Sequence, residues 1–322
     1  MKSAGYTRKH TRVKNRNWTM YTALGAVVLL FGVLRFFPII KLFYMSLFNW
    51  NMATGVTRFI SFQNFARMFG SSAFLTTLWR TVYMGFEILL ITVPLGLLIA
   101  NAIHTKVMAK PVIQTGLFIP YIMPMVPTVI IWKWLFNTEY GLVNYLLSFA
   151  GIGKMPWLAN GNLAEWAIVI ITVWKNLGYC VLILTVGLAG ISRTYYEAAE
   201  IDGASGWHAF WRITLPLLKP VLIYVSIIML IRGFNVYTQA YILCSDASGS
   251  PGYVVRTLVY DMVENGFKFY KMGYAAAEAV VLFLIIFLFS VVQFIFGDED
   301  RMDRRRLARQ ARRGGKGRSV ST

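Results

Sequence analysis

Charge is what this chain most lacks. Only 14% of its 322 residues are Asp, Glu, Lys or Arg, against about 25% in an ordinary soluble domain. With 57% hydrophobic residues gathered into long runs and a mean hydropathy of +0.55, the composition excludes a water-soluble globule. Histidine is scarce too: His10, His104 and His208 are scattered, leaving no cluster of the kind an integral membrane enzyme sets at the interface. Cys180 and Cys244 have neither CxxC spacing nor a neighbouring His, and read as inert thiols. Gly314-Gly315-Lys316-Gly317 lacks the hydroxyl residue and preceding strand of a phosphate-binding loop, so no nucleotide site is expected here. No cleavable signal peptide is expected either. The first apolar run is roughly 28 residues, far beyond the 7–15 of a signal core.

What is present is six apolar runs: residues 21–48, 78–103, 111–136, 163–188, 220–243 and 274–296. Each is long enough to cross roughly 30 Å of hydrocarbon at about 1.5 Å per residue. Backbone groups in lipid must be satisfied within their own segment, so the runs are expected to be helices. Arg35, Pro38 and Lys41 interrupt the first, predicting a kink. Pro120, Pro124 and Pro127 crowd the third, predicting a bent or partly unwound span.

The net charge of +18 would suit a nucleic acid until the charges are placed. Fifteen of the 32 Lys and Arg lie in two tails, residues 1–17 and 298–322. With both tails inside, cytoplasmic segments hold 20 basic residues and external ones 6. This bias sets the orientation and dispenses with a nucleic-acid partner. The expected organisation is a basic N-tail (1–17), a six-span domain (18–297) and a basic C-tail (298–322). The C-tail is expected to be disordered and to meet anionic lipid.

Residues 189–219 form a cytoplasmic loop too polar to span. Ser192 or Thr194 can cap a short helix through Ile201, with Glu197, Glu200 and Asp202 on one face. Gly203 supplies a left-handed stop. Ser205 can cap a second helix over 207–213, which Pro216 is expected to end. The loop reads Glu197-Ala198-Ala199, three residues, Gly203, nine residues, Ile213, one residue, Leu215-Pro216. This resembles the EAA loop of ABC importer permeases at every one of those positions. Segment 118–151, Gly233-Phe234-Asn235-Val236-Tyr237 and Gly273-Tyr274-Ala275-Ala276-Ala277 resemble the sugar branch, the maltose and glycerol-phosphate type permeases. The likeness runs from about residue 24 to 296. One departure is the external loop from Ser245 to Thr257 (SDASGSPGYVVRT), where the family usually carries a GGP-x-x-x-T-like turn.

The resemblance implies an all-α type I ABC permease core of six transmembrane helices, in a bacterial cytoplasmic (inner) membrane with both termini cytoplasmic. It implies a second homologous permease subunit, two ATP-binding subunits holding ATP and Mg, and an extracytoplasmic solute-binding protein. This chain would bind no cofactor and hydrolyse nothing itself. The EAA loop would be the coupling helix that docks on the ATPase. The residues suit that role: Ala198 and Ala199 allow close approach, Glu197 offers a carboxylate, Gly203 permits the turn and Leu215-Pro216 sets the exit angle.

Polar stripes mark a candidate solute path. Thr172, Lys175, Asn176 and Tyr179 share one face of the fourth span, Arg232, Asn235 and Gln239 one face of the fifth, and Arg80, Tyr83 and Glu87 one face of the second. Intramembrane charge costs at least about 2.5–3.5 kcal/mol, so these groups should face a wet cavity or a partner. Asn176, Tyr179, Asn235, Tyr237 and Gln239 suit sugar hydroxyls, with Trp132, Trp134 and Trp174 as stacking or interfacial surfaces. Lys175 and Arg232 suit a uronate or phosphorylated solute, or a pairing with Glu87 or Glu278. A secondary transporter would need a carboxylate relay, for which only Glu87 and Glu278 stand clearly within spans, and it leaves the EAA loop unexplained.

Overall fold

The computed structural model describes residues 13–106, 110–204, 206–244 and 255–316. The N-tail, the Ser205 cap and the departure at 245–254 lie at or beyond the edges of those residues. In chain order the elements are α1 (Val13–Phe31), α2 (Phe37–Ser46), β1 (Phe48–Trp50), β2 (Thr57–Phe59), α3 (Gln63–Phe69), α4 (Ser72–Lys106), α5 (Lys110–Ile122), α6 (Met125–Leu135) and α7 (Leu142–Phe149). There follow α8 (Gly161–Ala189), α9 (Arg193–Ile201), α10 (Gly206–Ala209), α11 (Leu215–Phe234), α12 (Thr238–Cys244), α13 (Leu258–Val263) and α14 (Met272–Lys316). Among the described residues five helical segments are long and apolar enough to cross a membrane. The pair Pro111–Ile122 and Met125–Leu135, bent by 99°, makes a sixth, broken crossing. The all-α, six-span reading therefore holds.

Pro94, Pro120 and Pro220 lie within continuous helix, while three other prolines mark irregular points in these crossings. Two are absorbed by a single wide turn. Gly32–Phe36 forms a π turn closed by Phe37 N–H on the Gly32 carbonyl, just ahead of Pro38. Phe210–Thr214 forms another, closed by Leu215 N–H on the Phe210 carbonyl, just ahead of Pro216. An extra residue per turn lets the chain pass a missing N–H without stopping. This corrects one expectation: Pro216 does not end the second loop helix, which runs on through the π turn into α11. At Pro124 the helix stops instead. Its backbone is extended (φ −60°, ψ 140°) and it caps α6, so the third crossing breaks as the proline cluster predicts.

The residues fall into two compact units. In the first, comprising 1–67 and 265–280, β1 pairs with β2 in antiparallel register, and the return segment adds a bridge from Lys271 to Asn51. Buried Asn64 donates to the Ser46 and Phe48 carbonyls at 2.8 and 3.0 Å. Buried Glu278 receives the Asn265 amide at 3.0 and 3.1 Å. In the second unit, 68–264 with 281–322, α8 is the central post, packed by α4, α5 and α11. Met84, Ile88, Val129, Phe136, Ile168 and Ile171 form its apolar core. α8 starts on an Asn160 cap, whose side-chain Oδ1 accepts from Asn162 and Leu163 N–H at 3.0 and 3.3 Å. Asn144 knits the stretch leading to α8. It donates to the Thr138 and Met155 carbonyls and accepts from Met155 N–H and Trp157 Nε1, all at 3.0–3.2 Å. The tail expected to be disordered from residue 298 continues α14 to Lys316. Its run of Arg, Leu and Ala residues favours helix.

Candidate functional site

The loop motif folds into a short, rigid elbow. Ser192 Oγ accepts Thr194 N–H at 3.4 Å and opens α9. The other end closes in a Schellman turn: Ala204 N–H bonds to the Ala199 carbonyl at 2.9 Å and Gly203 N–H to that of Glu200 at 3.1 Å. Gly203 sits at φ +74°, where a Cβ would strain the backbone. The Tyr196 and Thr214 hydroxyls meet at 3.0 Å and brace α9 against the foot of α11. Ala199 is the inward residue, 9% exposed, while Glu197, Ala198, Glu200 and Asp202 face out and Ile213 and Leu215 are half-buried. Trp207 and Trp211 stand exposed at the far end, packed edge to face at 5.7 Å. The elbow thus presents small residues, carboxylates and aromatics outward on a braced backbone.

The stripes of the fourth and fifth spans converge on Arg232. Its guanidinium donates to Asn176 Oδ1 at 2.7 Å and to the Tyr121 hydroxyl at 2.8 Å. It lies 4.8 and 4.7 Å from the centres of the Tyr121 and Tyr179 rings, which themselves stack at 5.2 Å. Aromatic faces hold a guanidinium without neutralising it. The Tyr179 hydroxyl meets that of Tyr224 at 3.2 Å. Below, Asn176 donates to the Thr172 carbonyl at 2.8 Å, and buried Gln239 donates to Thr172 Oγ1 at 3.1 Å. Tyr121 and Tyr224 were not singled out in the sequence. The signal for Tyr121 was its place between Pro120 and Pro124, where α5 ends.

Lys175 has another occupation. Its amine donates to the carbonyls of Pro120, Tyr121 and Met123 at 3.1, 3.3 and 2.5 Å. These are the carbonyls left open where the third span breaks. It pairs with neither Glu87 nor Glu278; Glu87 accepts the Tyr83 hydroxyl. α5 can lie this close to α8 only because residue 178 is Gly: a Cβ there would stand 1.9 Å from the Leu117 carbonyl oxygen. Lys133 of α6 serves the end of α12 in the same way, donating to the Ile242 carbonyl at 3.1 Å.

Other expected residues separate from the cluster. Asn235 is exposed and donates to its own helix at Ile231 (2.7 Å). Tyr237 joins Tyr241 and Tyr260 at ring distances of 5.6 and 6.4 Å. Trp132 packs edge-on to Trp174 at 5.4 Å, and Trp134 points outward, 73% exposed. Arg80 pairs with Glu165 at 3.4 Å, joining α4 to α8, so Glu165 is an intramembrane carboxylate the sequence reading did not count. Beyond the spans, Arg256 donates to Asp261 at 2.5 Å and also to Glu264. Burial pushes the Asp261 carboxyl up, with Arg256 pulling against it. Burial presses the Arg256 guanidinium down, but the Asp261 hydrogen bond and both acidic charges outweigh it, so its pKa rises.

Known proteins resemble this chain along most of its length. The arabinooligosaccharides transport system permease protein AraP of Bacillus subtilis (strain 168) is 32% identical over 84% of this chain and 86% of its own length. The sulfoquinovosyl glycerol transport system permease protein SmoG of Agrobacterium fabrum is 33% identical over 83% and 90%. The trehalose/maltose transport system permease protein MalF of Thermococcus litoralis is 30% identical over 87% and 92%. A crystal structure of a bacterial ABC transporter involved in the import of the acidic polysaccharide alginate shares the fold. Its TM-score is 0.76 at 20% identity, covering 88% of this chain and 96% of that one. The family described as binding-protein-dependent transport system inner membrane component matches residues 92–299. Six crossings, a braced polar elbow before the fifth and relatives alike along nearly their whole length converge: this chain belongs to the family of inner membrane components of binding-protein-dependent transport systems.

Proposed function

We propose that this chain is one of two homologous permease subunits of an ATP-driven importer for a sugar or oligosaccharide. The names of its relatives support the sugar class. The 20-to-6 distribution of basic residues supports cytoplasmic termini in a bacterial inner membrane. An extracytoplasmic binding protein hands solute to the pair, and two separate subunits bind ATP and Mg2+. Their closure and reopening push on the α9 elbow, which tilts the spans between outward- and inward-open arrangements. The solute path runs past Asn176, Tyr179, Arg232, Asn235, Tyr237 and Gln239. Lys175 holds the third span in shape rather than meeting solute, and Trp174 backs the path through Trp132.

The single observation that carries the coupling role is the elbow itself. A nine-residue helix is too short to persist alone, yet this one is capped at both ends, braced by Tyr196 and turned by Gly203. Its carboxylates nevertheless face outward. Such rigidity suits a lever pressed by a partner. The test is to express the chain with its co-encoded partners, purify through a tag on this chain and measure ATP hydrolysis. A permease brings down an ATPase whose rate rises when the binding protein and sugar are added. A chain that purifies alone, or whose associated ATPase ignores the binding protein, would contradict the proposal.

A further inference from the structure

The Arg232 cluster deepens that reading by naming the charge of the cargo. Arg232 is half-buried inside a crossing, and its side-chain acceptors Asn176 and Tyr121 are both neutral. Among the described residues it meets no carboxylate, unlike Arg80, Lys154 and Arg256. The nearby Lys175 amine is likewise held by carbonyl oxygens alone. So the break of the third span and the middle of the fifth carry two positive charges that no acidic group of the described chain balances. Three carbonyls shelter the Lys175 amine, whereas Arg232 has two neutral acceptors and two ring faces, so its charge is the one an oxyanion can still meet.

The geometry also looks built for a visitor. The two tyrosine rings and Asn176 fix the guanidinium plane, yet they engage only part of its donor fork. The Tyr179 ring that flanks the guanidinium carries its hydroxyl to that of Tyr224, which is 49% exposed. A fixed, partly unused guanidinium is the group that best recognises a planar or tetrahedral oxyanion. The tyrosine hydroxyls and amides beside it suit sugar hydroxyls.

We propose that the solute is an acidic sugar, one bearing a carboxylate, sulfonate or phosphate, and that Arg232 receives the anionic group as it passes. The inference rests on the sugar-importer reading above. The test uses the complete complex in proteoliposomes with its binding protein. Stimulated ATP hydrolysis is measured with oligosaccharides carrying a uronate, a sulfonate or a phosphate, each beside its uncharged counterpart. At least one acidic sugar should stimulate at concentrations about 10- to 100-fold below its uncharged counterpart, the range expected for a charge-assisted hydrogen bond. Arg232→Gln should abolish that preference, and Arg232→Lys should restore part of it.

If uncharged sugars stimulate as well as acidic ones, the inference falls while the sugar-importer reading stands. If Arg232→Gln weakens both members of a pair equally, Arg232 is a structural or subunit-contact residue and the inference falls again. If no sugar of either kind stimulates the assembled complex, the sugar reading itself is overturned.

Discussion

The α9 elbow and the Arg232–Lys175 cluster hold most of the polar side chains that matter in this chain, and they spend them in opposite directions. In the elbow, backbone turns and caps do the holding: Ser192, the Schellman turn at Gly203 and the Tyr196–Thr214 contact. Its carboxylates are left exposed. In the cluster, side chains are consumed inward. Lys175 closes three carbonyls, Asn176 and Tyr121 hold Arg232, and Gln239 ties to Thr172. An outward polar surface on a rigid backbone is a handle for another protein. An inward polar network in a low-dielectric setting is first a matter of folding, and only its unsatisfied remainder is free for solute.

Substitutions should therefore separate the two regions. The largest effect is expected at Lys175→Met, which leaves three carbonyls at the third-span break without a donor. At about 1–3 kcal/mol for an unsatisfied buried group, the loss should reach about 3 kcal/mol or more. Thermal unfolding of the detergent-solubilised complex would read it as a large drop in midpoint. Asn144→Leu should cost about 2 kcal/mol by the same reasoning, loosening the approach to α8 and raising protease sensitivity between residues 137 and 160. Glu197→Lys should leave the unfolding free energy within about 0.5 kcal/mol of wild type, as for other exposed substitutions. It should nevertheless weaken co-purification with the ATPase. The most local effect is expected at Ser192→Ala, about 1 kcal/mol of helix-cap stability, seen as faster amide exchange confined to α9. A Glu197→Lys protein that unfolds as readily as Lys175→Met would erase the distinction.

How legible each region was follows from the same difference. The elbow could be read because its determinants are local: a cap, an i-to-i+5 turn and a glycine at the left-handed position all lie within a dozen residues. The crossings were legible because apolar length is a bulk property. The proline cluster likewise foretold the break at Pro124. Pro216 misled because a π turn upstream, rather than the proline itself, decides whether the helix continues, and local composition does not choose between those outcomes. The cluster was half-legible. Helical spacing placed Lys175, Asn176 and Tyr179 on one face. The partners that give them their work, the Pro120, Tyr121 and Met123 carbonyls and the Tyr121 hydroxyl, lie more than 50 residues away in sequence. Their approach depends on a missing Cβ at Gly178, which is a property of packing rather than of pattern. Glu165 escaped notice because its partner Arg80 sits on another helix.

Gly203→Pro tests the central claim most directly. Proline holds φ near −65° and lacks the N–H that Gly203 donates, so it cannot keep the +74° turn. The measurement is binding-protein- and sugar-stimulated ATP hydrolysis by the complete complex in proteoliposomes, with subunit stoichiometry checked on the same sample. The expected result is a complex that inserts and assembles but whose ATP hydrolysis no longer responds to binding protein and sugar. Stimulation equal to wild type, in a complex of equal stoichiometry, would mean that the elbow is an interfacial helix and not the element that couples hydrolysis to transport.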